Sequence, residues 1–321
     1  MNLSSNEREL VFVLVILTVV GFFYTRGIQK EIAKGEEMDM MLAEEEETIR
    51  PFLDIALASK AFAIYDSKNN AFIYKINAEE VMPLASLAKV MSAIIVLENV
   101  PADHVFVIDK ESLGQIGDNG LLVDEKWGRD ELLKFTLVAS SNDAIRDIAV
   151  ETGSIIDPES SDPEKVFIDA MNSRAEEMGL RQMTFFNESG LDLEEVGLNN
   201  EANVAGSSKN GAYASARDMA KLFSYAVTTY PDIFSATTNL NFPVSSRDKD
   251  HIAKNTNPLV EEIPELLASK TGFTDISGGN LAVALKGKNG ATTVVVVLGS
   301  TFDERFTDIK TLSGALNPSA D

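Results

Sequence analysis

Ser86 and Lys89 are the first residues in this sequence whose types and spacing could do chemistry together. They lie in the stretch PLASLAKVMSA, where the other side chains are mostly apolar and helically spaced. Residues three apart share one face of a helix, so the hydroxyl and the amine would be neighbours. A serine nucleophile needs a base, and lysine can be that base when burial lowers its pKa. Alone the pattern is weak, because a serine N-cap beside an exposed lysine has the same spacing.

Two later stretches carry side chains that could complete such a site. ASSND contains Ser140 and Asn142 at a break between two predicted helices, and SKTGFTD contains Lys270, Thr271 and Gly272 just before a predicted strand. Lysine and threonine can hold a carboxylate, and glycine permits close backbone approach. Each stretch alone is typical of an ordinary turn. The ordered combination SxxK, SxN and KTG is specific, and it is the motif set of penicillin-binding proteins and class A β-lactamases.

The elements that must position these residues can be predicted from hydrophobic periodicity. KAFAIYDSKNNAFIYKIN predicts two strands around the turn at Asp66–Asn70, and GGNLAVALKGKNGATTVVVVLGS predicts two more, the last of them buried. Residues 154–164 are an acidic, Ser- and Pro-rich loop. Helices are predicted in SLAKVMSAIIVLENV, in both halves of GRDELLKFTLVASSNDAIRDIAVETG, in PEKVFIDAMNSRAEEMGL with Gly179 as C-cap, in SARDMAKLFSYAVTTYP and near residues 303–315. Strands at both chain ends with helices between them predict one sheet covered by helices.

Composition excludes several classes of function. The chain has 321 residues, enough for a real core, and a formal net charge of −22, which disfavours binding to nucleic acid. It has no cysteine, so thiol nucleophiles and cysteine–metal sites are excluded. Its two histidines, His104 and His251, argue against a histidine-rich metal site, and HExxH does not occur.

The N-terminus differs from the rest of the chain. Residues 10–24, LVFVLVILTVVGFFY, are apolar and uncharged, close to the length that spans a bilayer. A signal peptide and a buried helix are alternatives, but no small-x-small cleavage site follows. The sequence therefore predicts a tail at 1–9, a transmembrane signal anchor at 10–26, an acidic spacer at 27–51 and a globular catalytic domain at 52–321. Flanking charges do not settle the orientation.

Taken together, the motifs make the chain resemble the serine D-alanyl-D-alanine carboxypeptidases, the low-molecular-mass penicillin-binding proteins. The resemblance runs from about residue 60 to about residue 310 and includes LLKFTLVASSNDA, FIDAMNSRAEEMGLRQMTFFNESGLD, ARDMAKL, NTNPLV and KTGFTDISGGNLAVAL. It implies an α/β (α+β) fold of the DD-peptidase/β-lactamase type. Such a fold has an antiparallel sheet formed by N- and C-terminal strands, flanked by helices, and a helical subdomain.

The resemblance also implies roles for the catalytic side chains. Ser86 would attack the carbonyl of a terminal D-Ala-D-Ala bond, and Lys89 would accept its proton. Ser140 would relay a proton to the leaving D-alanine, and Asn142 would orient Lys89 and the substrate amide. Lys270 would place a second cation near Lys89 and help to keep it neutral. An acyl-enzyme would form and be released by water. The resemblance implies no metal or cofactor.

Substrate binding is implied for the KTG stretch. Lys270 and Thr271 would hold the terminal carboxylate, Gly272 would let the backbone approach, and the backbone N–H groups of Ser86 and Phe273 would form the oxyanion hole. The implied partners are a peptidoglycan pentapeptide, β-lactams as covalent inhibitors and the membrane, with no nucleic acid. Because this substrate lies outside the cytoplasm, we expect a single-pass protein of the cell membrane with an extracytoplasmic catalytic domain.

This sequence departs from the family pattern in several places. Ser141 stands where the middle residue of SxN is often glycine, and Ser269 precedes Lys270 where glycine is usual. Neither change removes a catalytic group. The β-rich C-terminal domain and C-terminal anchor of many relatives are not found after the last predicted helix, and the span at 10–26 could replace that anchor.

Three other functions fit the same motifs. A β-lactamase would need a glutamate that activates the deacylating water, and EVGLN, residues 195–199, matches that pattern. That stretch directly follows NESGLD, which matches the carboxypeptidase pattern, so we interpret it as a coincidence in a loop. A cross-link endopeptidase would share every catalytic residue. A non-catalytic scaffold that binds cell-wall peptides is the third alternative, against which the complete set of catalytic side chains argues.

Overall fold

The computed structural model describes residue 34 and residues 49–115, 120–192, 211–287 and 290–316. The chain divides into two compact units, residues 1–53 and residues 54–321. In the first unit, the described part contains one 3-10 turn, Arg50–Phe52. None of the helices in the described ranges has the length and apolar character needed to cross a membrane. The predicted anchor at 10–26 lies outside these ranges and stays a prediction.

The second unit contains the strands and helices that build the site. Its strands are β1 (Ala61–Asp66), β2 (Ala71–Ile76), β3 (Val81–Pro83), β4 (Val105–Val107), β5 (Lys126–Gly128), β6 (Thr184–Phe185), β7 (Ala212–Ser215), β8 (Asn241–Ser245), β9 (Asp250–Lys254), β10 (Leu266–Thr274), β11 (Gly278–Lys286) and β12 (Thr292–Ser300). Its helices are α1 (Lys89–Asn99), α2 (Arg129–Ala139), α3 (Asn142–Ile156), α4 (Pro163–Glu177), α5 (Ala216–Thr229), α6 (Pro231–Phe234) and α7 (Glu304–Leu316).

Five of the strands form the main sheet, in the order β10-β11-β12-β1-β2. Every neighbouring pair is antiparallel. The N-terminal hairpin β1–β2 therefore lies along one edge, and the C-terminal strands β10 to β12 complete the other. The predicted mixed α/β fold, with an antiparallel sheet made from both ends of the chain, is confirmed.

The sheet is buried on both faces because helices cover each of them. Successive residues of a strand point to opposite faces, and in β12 both Val294 and Val295 are buried. The face that carries Val294 and Val296 belongs to the large core, which includes Phe223 of α5. Helix α7 packs on β11 and β12. This double burial explains the uninterrupted apolar run TTVVVVLG, whose predicted burial is confirmed.

The helical part packs beside the sheet as a cluster of α1 to α4. Its helices start at the polar residues that the sequence offers: Ser141 caps α3, Asp162 caps α4 and Ser215 caps α5, each by accepting a backbone N–H bond. Gly179 follows α4 with φ of 71°, which confirms its predicted role as a C-cap. The predicted loop at 154–164 is wrong at its start, because α3 continues to Ile156.

Two features of this fold position the site. The strand β10 lies at the sheet edge that faces the helical part, and a short 3-10 turn, Ala85–Ala88, packs against it. A second 3-10 turn, Ser235–Thr238, packs against the same strand. These contacts bury Ser269, Lys270 and Thr271, although they belong to an edge strand. The result is a cleft between the sheet edge and the start of α1.

Candidate active site

Ser86 occupies the 3-10 turn that leads directly into α1. The residue before it, Ala85, has φ of 47°, a left-handed conformation that non-glycine residues rarely adopt. Such strain persists only where neighbours enforce it. Two glycines make that possible: a β-carbon at Gly272 would lie 2.6 Å from the carbonyl oxygen of Leu84, and one at Gly190 would lie 2.0 Å from that of Ala85. The turn that presents Ser86 is held closely from both sides.

Lys89 is the first residue of α1 and is completely buried. Its Nζ lies 2.9 Å from Ser86 Oγ, 2.7 Å from Asn142 Oδ1 and 3.1 Å from the carbonyl oxygen of Ser189. A neutral amine has two protons and one lone pair. Asn142 and Ser189 offer only acceptors at these positions and take the two protons. The lone pair is then directed at the Ser86 hydroxyl, which is the arrangement a general base requires.

Burial lowers the pKa of Lys89 to about 7, and the carboxyl of Glu188 opposes this by raising it. The family resemblance implies that Lys270 helps to keep Lys89 neutral. In the structure burial is the main cause of the lowered pKa of Lys89. The pKa of Lys270 is lowered as well, first by burial and then by repulsion from Lys89 and Arg305. A substantial fraction of Lys89 is therefore neutral near pH 7.

Ser140 and Asn142 are presented by a sharp break between α2 and α3, as the sequence predicts. Ser140 has φ of 56°, and its N–H donates to the carbonyl oxygen of Thr136, which closes α2. Ser141 then caps α3 by accepting a bond from the N–H of Ala144 at 3.2 Å. The serine found at 141 in place of the usual glycine thus has a structural role as an N-cap.

The KTG stretch lies inside β10, so the prediction that it precedes a strand is wrong. Lys270 Nζ donates to Ser140 Oγ at 2.8 Å and to the carbonyl oxygen of Thr271 at 2.9 Å. Lys270 is 2% exposed. The lysine bridges the sheet edge and the break between α2 and α3, and it brings the second and third motifs together.

Six of the eight predicted site residues line one cleft of about 530 Å³. Its lining is Ser86, Ala139, Ser140, Asn142, Leu191, Thr256, Thr271, Gly272, Phe273, Thr274, Asp275, Phe302 and Arg305. Lys89 and Lys270 lie buried behind this surface and reach it through Ser86 and Ser140. In the described ranges, no group of three or more His, Cys, Asp or Glu side chains could hold a metal ion.

Arg305 is a site residue that the sequence reasoning missed. It is 3% exposed, and its Nη1 donates to the carbonyl oxygen of Gly272 at 2.8 Å. Its guanidinium lies 4.6 Å from the ring centres of Phe302 and Phe306 and 5.8 Å from that of Phe273. Its Nε has no hydrogen-bond partner in the part of the chain that the structure describes. The sequence signal was weak, because an arginine at the start of an amphipathic helix usually faces solvent.

Glu188 and Ser189 were also missed as individual residues, although NESGLD was noted as a stretch. The Ser189 carbonyl oxygen binds Lys89, and Glu188 is 3% exposed with a pKa raised by burial. Asn187 folds this segment, since its Oδ1 accepts the N–H groups of Ser189 and Gly190 at 3.2 and 2.7 Å. The EVGLN stretch at 195–199 lies outside the described residues.

Solved structures of penicillin-binding proteins share this fold. The chain matches penicillin-binding protein D2 of Listeria monocytogenes in its ampicillin-bound form with a TM-score of 0.65 and 28% identity. The match covers 82% of this chain and 98% of the Listeria chain. The arrangement is therefore the DD-peptidase fold of penicillin-binding proteins, a mixed α/β fold with an antiparallel sheet.

The chain belongs to the D-alanyl-D-alanine carboxypeptidase family, whose profile matches residues 45–301. This confirms the resemblance drawn from the motifs. The chain is 27% identical over 259 residues to the D-alanyl-D-alanine carboxypeptidase DacF of Bacillus subtilis, covering 78% of this chain and 60% of DacF. It is also 27% identical over 248 residues to a D-alanyl-D-alanine endopeptidase of Haemophilus influenzae, covering 76% of both chains. The relatives of this chain are thus named for carboxypeptidase activity in one case and endopeptidase activity in the other.

Proposed function

We propose that this protein is a membrane-anchored serine D-Ala-D-Ala carboxypeptidase that trims the terminal D-alanine from peptidoglycan stem peptides. The observation that carries the proposal is the buried Lys89 amine 2.9 Å from Ser86 Oγ, with its other two partners both acceptors. Membership of the family supports the proposed substrate class. The predicted span at 10–26 would hold the catalytic domain on the outer side of the cell membrane.

In the acylation step, Ser86 Oγ attacks the carbonyl carbon of the penultimate D-alanine and gives its proton to Lys89. The C–N bond to the terminal D-alanine breaks, and the leaving nitrogen receives a proton through Ser140, whose Oγ accepts a bond from Lys270 at 2.8 Å. The backbone N–H groups of Ser86 and Phe273 would stabilise the oxyanion. Water then hydrolyses the ester and regenerates Ser86.

The charge around the cleft suits a substrate that ends in a free carboxylate. Thr271 and Arg305 both line the cleft, and Lys270 lies directly behind it. Cations and hydroxyl donors together favour an anion over a neutral chain end. β-Lactams that carry a carboxylate would enter the same way and trap the ester on Ser86, as supported by the ampicillin-bound Listeria relative.

The experiment is to incubate the full chain with a pentapeptide stem and measure released D-alanine, with a cross-linked dimer as the competing substrate. Release of D-alanine from the pentapeptide, with the dimer left intact, supports the carboxypeptidase. Cleavage of the dimer without release of D-alanine would overturn it in favour of a DD-endopeptidase, the activity for which the Haemophilus influenzae and Escherichia coli relatives are named.

A further inference from the structure

Thr256 is an exposed residue between β9 and β10 whose side chain lines the same cleft as Ser86 and Thr271. Its Oγ1 lies 2.5 Å from the Oγ1 of Thr271, and either atom could be the donor. This is a short hydroxyl–hydroxyl hydrogen bond. The acylation steps given above make no use of it.

The residue before Thr256 anchors the loop on one side. Asn255 Nδ2 donates to the carbonyl oxygens of Thr237 at 2.8 Å and Asn239 at 2.9 Å. Its backbone N–H donates to the carbonyl oxygen of Leu240 at 2.9 Å. Asn255 therefore joins the Thr256 loop to the 3-10 turn Ser235–Thr238 and to the segment that follows it.

Asn257, the residue after Thr256, is buried and forms hydrogen bonds within the loop. The N–H of Asn257 donates to Asn255 Oδ1 at 2.9 Å, and Asn257 Oδ1 accepts the N–H of Leu259 at 3.0 Å. The N–H of Thr256 itself donates to the carbonyl oxygen of Val138 near the end of α2 at 3.3 Å. The backbone is thus held on both sides of one exposed threonine.

The same turn also holds β10. The N–H of Ser269 donates to Thr237 Oγ1 at 2.9 Å, and Ser269 Oγ donates to the Thr237 carbonyl oxygen at 3.2 Å. Thr237 therefore connects Asn255, next to Thr256, with Ser269, two residues before Thr271. This brace fixes the separation of the two hydroxyls, and it gives a reason for serine at 269, where the family usually has glycine.

A hydroxyl has one proton and can accept from a second donor. If the Thr256 hydroxyl donates to Thr271 Oγ1, the Thr271 hydroxyl cannot donate back to Thr256. Its own proton is then available for another acceptor. Both side chains line the cleft, where the Arg305 guanidinium contributes positive charge. A carboxylate, which accepts from hydroxyl and guanidinium donors, is the complementary ligand class.

We propose that Thr256 is a positioning residue that orients the Thr271 hydroxyl toward the terminal carboxylate of the substrate, and so makes the enzyme discriminate a free carboxylate from a neutral chain end. The inference deepens the proposed function, on which it rests for the identity of the peptide substrate. It would apply equally to the carboxylate of a penicillin, which provides an assay that does not depend on peptide turnover.

The first test compares the wild type with Thr256→Val in D-alanine release from an acyl-D-Ala-D-Ala peptide and from its C-terminal amide. The variant keeps the side-chain volume and loses the donor. We expect KM for the free acid to rise about fivefold with kcat changed less than about twofold, and the amide to be unaffected. Thr256→Ser should restore the wild-type KM. Thr229→Val, an exposed site at the end of α5 outside the cleft lining, is the matched control.

The second test measures the rate constant of acylation by benzylpenicillin and by its methyl ester. The inference predicts that Thr256→Val slows acylation by the acid about fivefold and leaves the ester unchanged. If the wild type releases no D-alanine but acylation shows this pattern, the proposed function fails and the inference stands. Equal losses for acid and neutral ligand would show a structural defect and overturn the inference. An unchanged variant, or a wild type that does not discriminate acid from neutral ligand in either assay, would also overturn it.

Discussion

Gly190 lies so close to Ala85 that a β-carbon at position 190 would stand 2.0 Å from the Ala85 carbonyl oxygen and 3.0 Å from the β-carbon of Ala88. Gly190 also has φ of 77°. The segment that supplies the Ser189 carbonyl to Lys89 is therefore pressed directly against the turn that presents Ser86. The nucleophile and the acceptor that orients its base are positioned by one backbone contact.

Replacement of Gly190 by alanine should damage both stability and acylation. The added methyl group meets backbone, and the left-handed φ is strained for alanine. We expect the free energy of unfolding to fall by about 2 kcal/mol or more, and acylation at Ser86 to slow at least about tenfold. Chemical denaturation and the rate of adduct formation with benzylpenicillin check this.

The matched control is Gly314→Ala in α7, where nothing lies within 4 Å of the added β-carbon. It should leave acylation unchanged and keep or slightly raise stability, since alanine is the better helix former. If Gly190→Ala kept the wild-type acylation rate and stability as this control does, the close contact with Ala85 would not be needed for acylation or stability.

The acylation rate should depend on the protonation of Lys89. Burial lowers its pKa to about 7, and only the neutral amine can accept the Ser86 proton. The rate should therefore fall about tenfold per pH unit below pH 7 and level off above it. The check is a pH profile of the acylation rate constant. A rate that stays flat from pH 5 to pH 8 would be incompatible with Lys89 as the base.

Glu188 should determine the pH at which the acylation rate begins to fall on the acidic side of the profile, here called the acidic limb. Its carboxyl raises the pKa of Lys89, so Glu188→Gln, which keeps the size and removes the charge, should move the limb to lower pH. Glu262→Gln is the control, because Glu262 is exposed, pairs with Lys310 at 2.8 Å and is not among the groups that shift the pKa of Lys89 or Glu188. A limb that moves upward, or moves equally in both variants, would contradict the assignment.

Removal of the Lys89 amine should slow acylation more than a change in the pKa of Lys89 does. Lys89→Met keeps an unbranched buried side chain without an amine, and acylation should slow by about 10²–10⁴-fold, the usual contribution of a general base. The stability should hold, since burying a methionine avoids the desolvation of an ammonium group. Lys68→Met, at an exposed position in the β1–β2 turn, should retain the wild-type rate. Full acylation by Lys89→Met would rule out the proton transfer.

Much of the site could be predicted because its motifs are short and local. Ser86 and Lys89 are one helical turn apart, and Ser140 and Asn142 mark a helix break that the pattern alone predicts. Arg305 and Thr256 could not be found in this way, because each contributes through a contact with the distant strand β10. Such partners are determined by tertiary packing, which one sequence does not display.

The strands of the fold divide in the same way, into those that local sequence patterns predict and those that depend on distant contacts. The hairpins β1–β2 and β11–β12 were predicted because apolar alternation and Gly/Asn turns are local signals. The strand β10 was misread because SKTG is polar, and its burial comes from the turns packed on its open edge. The short strands β3 and β7 were missed because three- and four-residue strands exist only through their pairing with each other.

The most direct test of the account is the intact mass of the full chain after incubation with benzylpenicillin, measured for the wild type and for Ser86→Ala. The account predicts one added penicilloyl mass on the wild type, persisting over minutes, and none on Ser86→Ala, which should fold normally because only a hydroxyl is removed. An adduct of equal yield on Ser86→Ala, or a wild type that stays unmodified while the penicillin remains intact, would contradict the assignment of Ser86 as the acylated nucleophile.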